Sequence, residues 1–213
     1  LYPTVLDAQD LGYVLWGNSA TITATVQGFS LQHGKSYGLY MDQTRLLMSH
    51  CTVTDTNGSG LLLSYSQGSR IEHSRITDNS SYGIYFSYSD QVVLYDNAIS
   101  RNNYGLYFYR SNDYVTLEAN SISDNNGYGL YMYSNDYNSH LTLSGNTIAD
   151  NGIASGIGQG IWAAKDYLVT AVNSILAGHS NAAVYADTDA RVELDGTLFD
   201  GNAKQNDGPG AVV

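Results

Sequence analysis

Two histidines and a carboxylate recur at one interval. His50, His73 and Asp96 lie 23 residues apart, and each stands three residues before an aliphatic residue, Val53, Ile76 or Ile99. Imidazole and carboxylate are ligands for transition metals, and an imidazole oriented by a carboxylate transfers protons. Glu72 and Arg75 flank the second histidine. These three residues form a candidate metal or acid-base site if the chain returns to the same place at every such step. Aspartates recur in the same way: Asp55, Asp78, Asp124, Asp150 and, in a looser frame, Asp200, with Arg101 taking the place of an acid. Like charges at close spacing repel unless paired or bound to a cation. Arg101 is thus expected to neutralise Asp78 and Asp124, and calcium is a possible occupant among carboxylate and Asn oxygens. A solvated acidic edge is the plainer reading. A second row, Asp90, Asp113, Asp136, Asp166 and Asp189, reads first as turn formers.

The richest side-chain chemistry is aromatic. A glycine followed by an aliphatic and then usually an aromatic residue recurs as GLYMD at 38, GLLLS at 60, GIYFS at 83, GLYFY at 105, GLYMY at 129 and GIWAA at 160, with a degenerate AVYAD at 183. The steps between these positions are 22, 23, 22, 24, 31 and 23 residues. A second phrase, as in VTLEANSISDNN and LTLSGNTIADN, lies between them in constant register. Apolar positions within these phrases alternate by two, whereas a helical repeat would step by three and four. Short strands and tight turns remain. About three such strands per period make one coil of a parallel β-solenoid, with coils stacked roughly 4.8 Å apart.

Stacked coils turn each repeat position into a column. Leu39, Leu61, Ile84, Leu106, Leu130, Ile161 and Val184 form one inward column, and Met41, Leu63, Phe86, Phe108, Met132, Ala163 and Ala186 another. The column between them faces out: Tyr40, Leu62, Tyr85, Tyr107, Tyr131, Trp162 and Tyr185, widened by Tyr109 and Tyr133. Two readings of this aromatic ladder stand side by side. Stacked rings on adjacent strands stabilise a sheet by roughly 0.2 to 1 kcal/mol per pair without any ligand. A strip of such extent is also a contact surface for sugar rings or for another protein subunit. Two asparagine columns, Asn97, Asn120, Asn146 and Asn173 headed by Cys51 and Ser74, and Asn79, Asn102, Asn125 and Asn151, are expected to form turn ladders. The repeated glycines are expected to supply a positive φ or a close turn.

These phrases resemble the right-handed parallel β-helix repeats of pectate-lyase-like enzymes, NosD-like periplasmic proteins and many bacterial surface proteins. The resemblance spans residues 38–202 and, more loosely, 12–37. It implies an all-β, right-handed parallel β-helix, here of about seven to eight coils. One domain is expected over 1–213, with an irregular N-terminal coil or cap at 1–37, regular coils over 38–202, a loop insertion at 152–159 and a C-terminal tail at 203–213. The glycine run within the insertion is no phosphate cradle, since no helix follows it. Enzymes of this superfold carry motifs that are not found here. Tyr82-Gly83-Ile84, Tyr104-Gly105-Leu106 and Tyr128-Gly129-Leu130 match only the first residues of the alginate-epimerase Tyr-Gly-aromatic-Asp-Pro-His-Asp run, and the only prolines are Pro3 and Pro209.

Composition narrows the partners. A net charge of −11 with nine Lys and Arg cannot assemble a phosphate clamp, which excludes nucleic acid and disfavours polyanions and anionic membranes. Cys51 is the sole cysteine, so there is no disulfide framework. No apolar run is long enough for direct membrane insertion. The first residue is Leu1, which fits a mature or excised fragment. The expected protein is a structural solenoid module, secreted, at the cell surface or periplasmic, such as an adhesin segment or filament subunit. Its tyrosine ladder contacts a glycan or another subunit, and its open ends suit end-to-end self-association. No catalytic residue is assigned, and no cofactor is expected apart from calcium. The alternative is a polysaccharide-active enzyme, of glycoside hydrolase or lyase type, using carboxylates of the Asp90 and Asp113 row.

Overall fold

Alternating side chains and frequent turns produce strands throughout. The computed structural model describes residues 3–133, 139–153, 155–156 and 158–213, and among these there are 27 strands and no helix. Every third strand pairs in parallel, giving three nine-stranded sheets and hence nine coils. The first sheet starts with Thr4–Asp7, the second with Leu15–Asn18 and the third with Thr23–Gln27. Nine coils exceed the expected seven to eight. Strands before residue 38 pair in register with those that follow, and Lys204–Asp207 and Ala211–Val212 continue the second and third sheets. The glycine-aromatic phrase that counts coils is missing at both ends, although strand pairing is not.

Inside, the two expected apolar columns of the second sheet are buried, and Phe86 and Phe108 stack with centroids 4.7 Å apart. Val53, Ile76, Ile99, Ile122 and Ile148 fill the first-sheet side, and Ile71, Leu94, Leu117 and Leu143 the third. Toward the C-terminus Ala163, Ala171, Ala186 and Ala190 join the core beside the buried Tyr167, Val169, Leu176 and Val192.

The corners share one device. A residue with left-handed backbone is followed closely by a buried polar side chain that bonds to the adjoining coil. Between the third and first sheets the left-handed residues include His50 (φ 53°), His73 (φ 48°), Asp96 (φ 50°), Ala119 and Asn173. The buried residues that follow are Cys51, Ser74, Asn97, Asn120, Asn146 and Ser174. Asn120 Oδ1, for instance, accepts the Asn97 backbone N–H and side-chain Nδ2–H, both at 3.0 Å. Asn173 therefore does not continue the ladder as expected. It occupies the left-handed position (φ 49°), and the Ser174 hydroxyl accepts the Asn146 amide. Asn suits both positions, being tolerant of left-handed backbone and able to bond along a stack.

Between the first and second sheets, Asn79, Asn102, Asn125 and Asn151 form the second expected ladder. It passes through His179, whose Nδ1 accepts the Asn151 N–H at 3.3 Å while Nε2–H donates to the Ile148 carbonyl at 3.0 Å, and on to Asn202, whose Oδ1 accepts the His179 N–H at 3.1 Å. The glycine column owes its identity to space and not to a positive φ. A Cβ on Gly83 would lie 2.7 Å from the Gly105 carbonyl oxygen, 2.8 Å from Ile99 Cγ2 and 2.9 Å from Asn102 Nδ2.

Candidate functional site

The aromatic ladder is an outer column of the second sheet. Trp16 pairs with Tyr40, Tyr40 with Leu62, Leu62 with Tyr85, and the column continues through Tyr107, Tyr131, Trp162 and Tyr185. Tyr109 and Tyr133 stack beside it with centroids 6.1 Å apart. A second column adjoins on the other side: Tyr37, Tyr82, Tyr104 and Tyr128. Strict alternation would turn these tyrosines inward, because each is two residues before a core aliphatic. The intervening glycine breaks the alternation. At Gly83 both the glycine and Ile84 point into the core, so Tyr82 is turned out to meet Tyr85 at 5.5 Å. Every one of these tyrosines directly precedes a glycine of the repeat, which was the available signal.

From Tyr82 to Tyr185 the rings form a continuous sheet of their own, with Leu62 separating them from Tyr37 and Tyr40. Tyr82 stacks on Tyr107 at 4.5 Å, Tyr128 on Tyr131 at 4.9 Å, Tyr107 on Tyr131 at 5.3 Å and Trp162 on Tyr185 at 5.6 Å. Ring faces are thereby turned toward neighbouring coils, and edges and hydroxyls toward solvent. Among the described residues, the hydroxyls of Tyr82, Tyr85, Tyr104, Tyr107 and Tyr131 bond to no other group. Burial of the rings, reinforced by neighbouring phenols, pushes Tyr85 up to about 12 and raises Tyr107 as well, so both stay neutral. Leu62, the aliphatic member of the column, is almost covered. At the edge of the face Arg110 lies over the rings of Tyr88 (5.5 Å) and Tyr109 (5.1 Å) and donates to the Tyr88 hydroxyl.

The other candidates lie on the corners. His50 and His73 come together with ring centroids 5.1 Å apart, and His73 Nδ1 is 2.9 Å from Asp96 Oδ2. Among the described residues no three His, Cys, Asp or Glu side chains converge as metal ligands. The acidic column holds Asp55, Asp78, Arg101, Asp124 and Asp150, each with positive φ. Asp200 is not among them; Gly201 (φ 62°) takes that place, since Asp200 pairs with Ala177 one residue earlier. Arg101 grips Asp78 alone with two bonds, Nε to Oδ1 at 2.7 Å and Nη2 to Oδ2 at 2.6 Å, which hold the Asp78 carboxyl below its usual range.

The second acidic row divides. Asp90 Oδ1 accepts the Asp113 N–H at 2.8 Å, whereas Asp166 and Asp189 align with each other one residue earlier in register. Asp136 lies outside the described residues. One pair escaped the spacing altogether: Asp113 Oδ1 receives both the backbone N–H of His140 (3.0 Å) and its Nδ1 (2.8 Å), and the His140 ring stacks on Tyr114 at 5.4 Å. The two residues are 27 apart, off the common period, and the adjoining strands Val115–Glu118 and Ser139–Ser144 pair with an offset of 26. Of two N-x-S sequons, Asn79 is buried in its ladder and Asn57 bonds to Asp10 at 2.7 Å.

Several solved structures share this fold. The periplasmic alginate epimerase AlgG superposes with a TM-score of 0.71 at 16% identity over 90% of this chain, which spans 50% of that protein's length. The Azotobacter vinelandii mannuronan C-5 epimerase AlgE6 A-module gives 0.58 at 14% identity, covering 90% of this chain and 63% of its own. The AlgE4 A-module from the same organism gives 0.52 at 14% identity, covering 93% and 75%. Identity at this level speaks for the fold alone. No curated protein matches the sequence. Residues 12–167 match the family described as right handed beta helix region, so the coils, their parallel sheets and their columns are those of a member of the right-handed β-helix family.

Proposed function

We propose that this protein binds a polysaccharide along its tyrosine face and acts as a rigid carbohydrate-binding solenoid outside the cytoplasm. The observation that carries this reading is the ring sheet itself: from Tyr82 to Tyr185 an apolar surface of packed rings whose outer rim carries hydroxyls without internal partners. Sugars combine apolar C–H faces with hydroxyl donors and acceptors, and amphipathic rings meet both. The lack of cations on the face, apart from Arg110 and the more distant Lys165, favours neutral glycans. Sharing a fold with an alginate epimerase and two mannuronan C-5 epimerases supports a polysaccharide ligand. Among the described residues no helix is long and apolar enough to cross a membrane, and one structural neighbour is periplasmic, which supports an extracellular or envelope setting.

The test is retention of the protein on a panel of neutral and acidic polysaccharides by affinity electrophoresis, with Tyr107→Ser and Tyr131→Ser variants. Retention should fall in both while their unfolding midpoints show a folded rod. Undiminished retention in both variants, or no retention of the parent protein by any glycan, would refute glycan binding. Self-association through the same face would instead weaken in sedimentation of these variants.

A second reading, a polysaccharide-active enzyme, is favoured by the Asp113–His140 pair. The carboxylate fixes the imidazole with Nδ1 as donor, which leaves Nε2 free for proton transfer. Turnover of a bound glycan that disappears in both Asp113→Asn and His140→Gln would establish this reading.

A further inference from the structure

The corner between the third and first sheets lies off the tyrosine face and has its own chemistry. We propose that His50 and His73 form a two-imidazole site for a borderline divalent metal ion, Zn2+ or Cu2+, with Asp96 as the group that orients His73. Three observations support this assignment. The left-handed corner column places the two side chains on adjacent coils, and their rings already lie 5.1 Å apart. The Asp96 carboxylate, 2.9 Å from His73 Nδ1, selects the tautomer with its proton on Nδ1 and its lone pair on Nε2. This is the carboxylate-histidine arrangement that orients imidazoles toward metals. The Tyr95 ring, edge-on to His73 at 5.4 Å, limits the swing of that imidazole.

Imidazole suits both ions, and copper should bind the more tightly of the two. Among the described residues no third protein ligand converges, so water would complete the shell. Two other histidines are backed by carboxylates, His33 by Asp7 and His140 by Asp113, but neither stacks on a second imidazole. They provide the internal comparison.

The experiment is isothermal titration of the intact protein with Zn2+ and with Cu2+, alongside His50→Asn, His73→Asn, Asp96→Asn and His140→Asn. Asparagine is the replacement of choice because Asn173 occupies the same left-handed column. The parent protein should show one binding event for each metal, with copper the tighter. His50→Asn and His73→Asn should each abolish that event. Asp96→Asn should weaken it by roughly 10- to 100-fold, the range for loss of an orienting partner. His140→Asn should leave it unchanged. Copper should also broaden the ring proton resonances of His50 and His73 ahead of the other histidines. No binding by the parent protein, equal binding by His50→Asn, or first broadening at His33 or His140 would each overturn the assignment.

Discussion

His179 gives the sharpest handle on how the polar ladders hold the solenoid. It occupies an asparagine position, its Nδ1 accepting the Asn151 N–H as an Asn oxygen would and its Nε2–H donating to Ile148 as an Asn amide would. Only the neutral imidazole can do both, and burial pushes its pKa below the ordinary value. The sign follows from linkage. In the unfolded chain His179 takes up a proton below about pH 6.5, while in the fold it resists, so its stability contribution is complete above that pH and declines as pH falls. The decline has a limiting slope of about 1.4 kcal/mol per pH unit. Between pH 7.5 and pH 5 the loss therefore has a ceiling of about 2 kcal/mol, reached when the buried ring stays neutral throughout.

His179→Asn keeps the acceptor and donor but removes the titration. Denaturant unfolding of both proteins at pH 7.5, 6.5, 5.5 and 5 measures the difference, in which the contributions of all the carboxylates cancel. The variant should gain on the parent steadily from about pH 6.5 downward. Parallel stability curves across that range would refute the account, because they would mean that the ladder tolerates an imidazolium.

Other perturbations test neighbouring parts of the frame. Asn102→Ala removes the acceptor of the Asn79 N–H (3.1 Å) and the donor to Ile76 O (3.2 Å) in a fully buried site; the expected loss is about 2 to 4 kcal/mol in denaturant unfolding. Gly83→Ala forces a Cβ against the next coil's backbone and should destabilise by about 1 to 3 kcal/mol, lowering the thermal midpoint. Arg101→Ala breaks the twin bonds to Asp78 at the surface, where solvent screens them, and unfolding should shift by less than about 1 kcal/mol, with little of that left in high salt.

The coil, the core columns and the central file of the aromatic face were legible because each depends on a side-chain period of two and a coil period near 23. What was not legible depends on departures from those periods. Tyr82, Tyr104 and Tyr128 face out because a glycine without Cβ lets two successive residues point inward. Asn173 takes the left-handed position and leaves the ladder to Ser174 because asparagine fits either position of a corner. His179 hides in an asparagine ladder because an imidazole offers the same acceptor and donor pair. Asp113 and His140, 27 residues apart, meet because the strand register there is offset by 26 residues and not 23. The His50, His73 and Asp96 column was legible as a column, but its left-handed backbone was not, and that backbone is what sets the three side chains at the surface.

The division of labour at each corner has a wider consequence. The inward polar residue is fixed by its bonds to the adjoining turn, but the outward one has to satisfy little more than a backbone angle, and His, Asp, Arg, Tyr, Ala, Asn and Gly all do so. Three such rows run the length of the molecule like lines of pegs on a board. New recognition chemistry can be written into them one position at a time, by single substitutions that leave the folding instructions untouched.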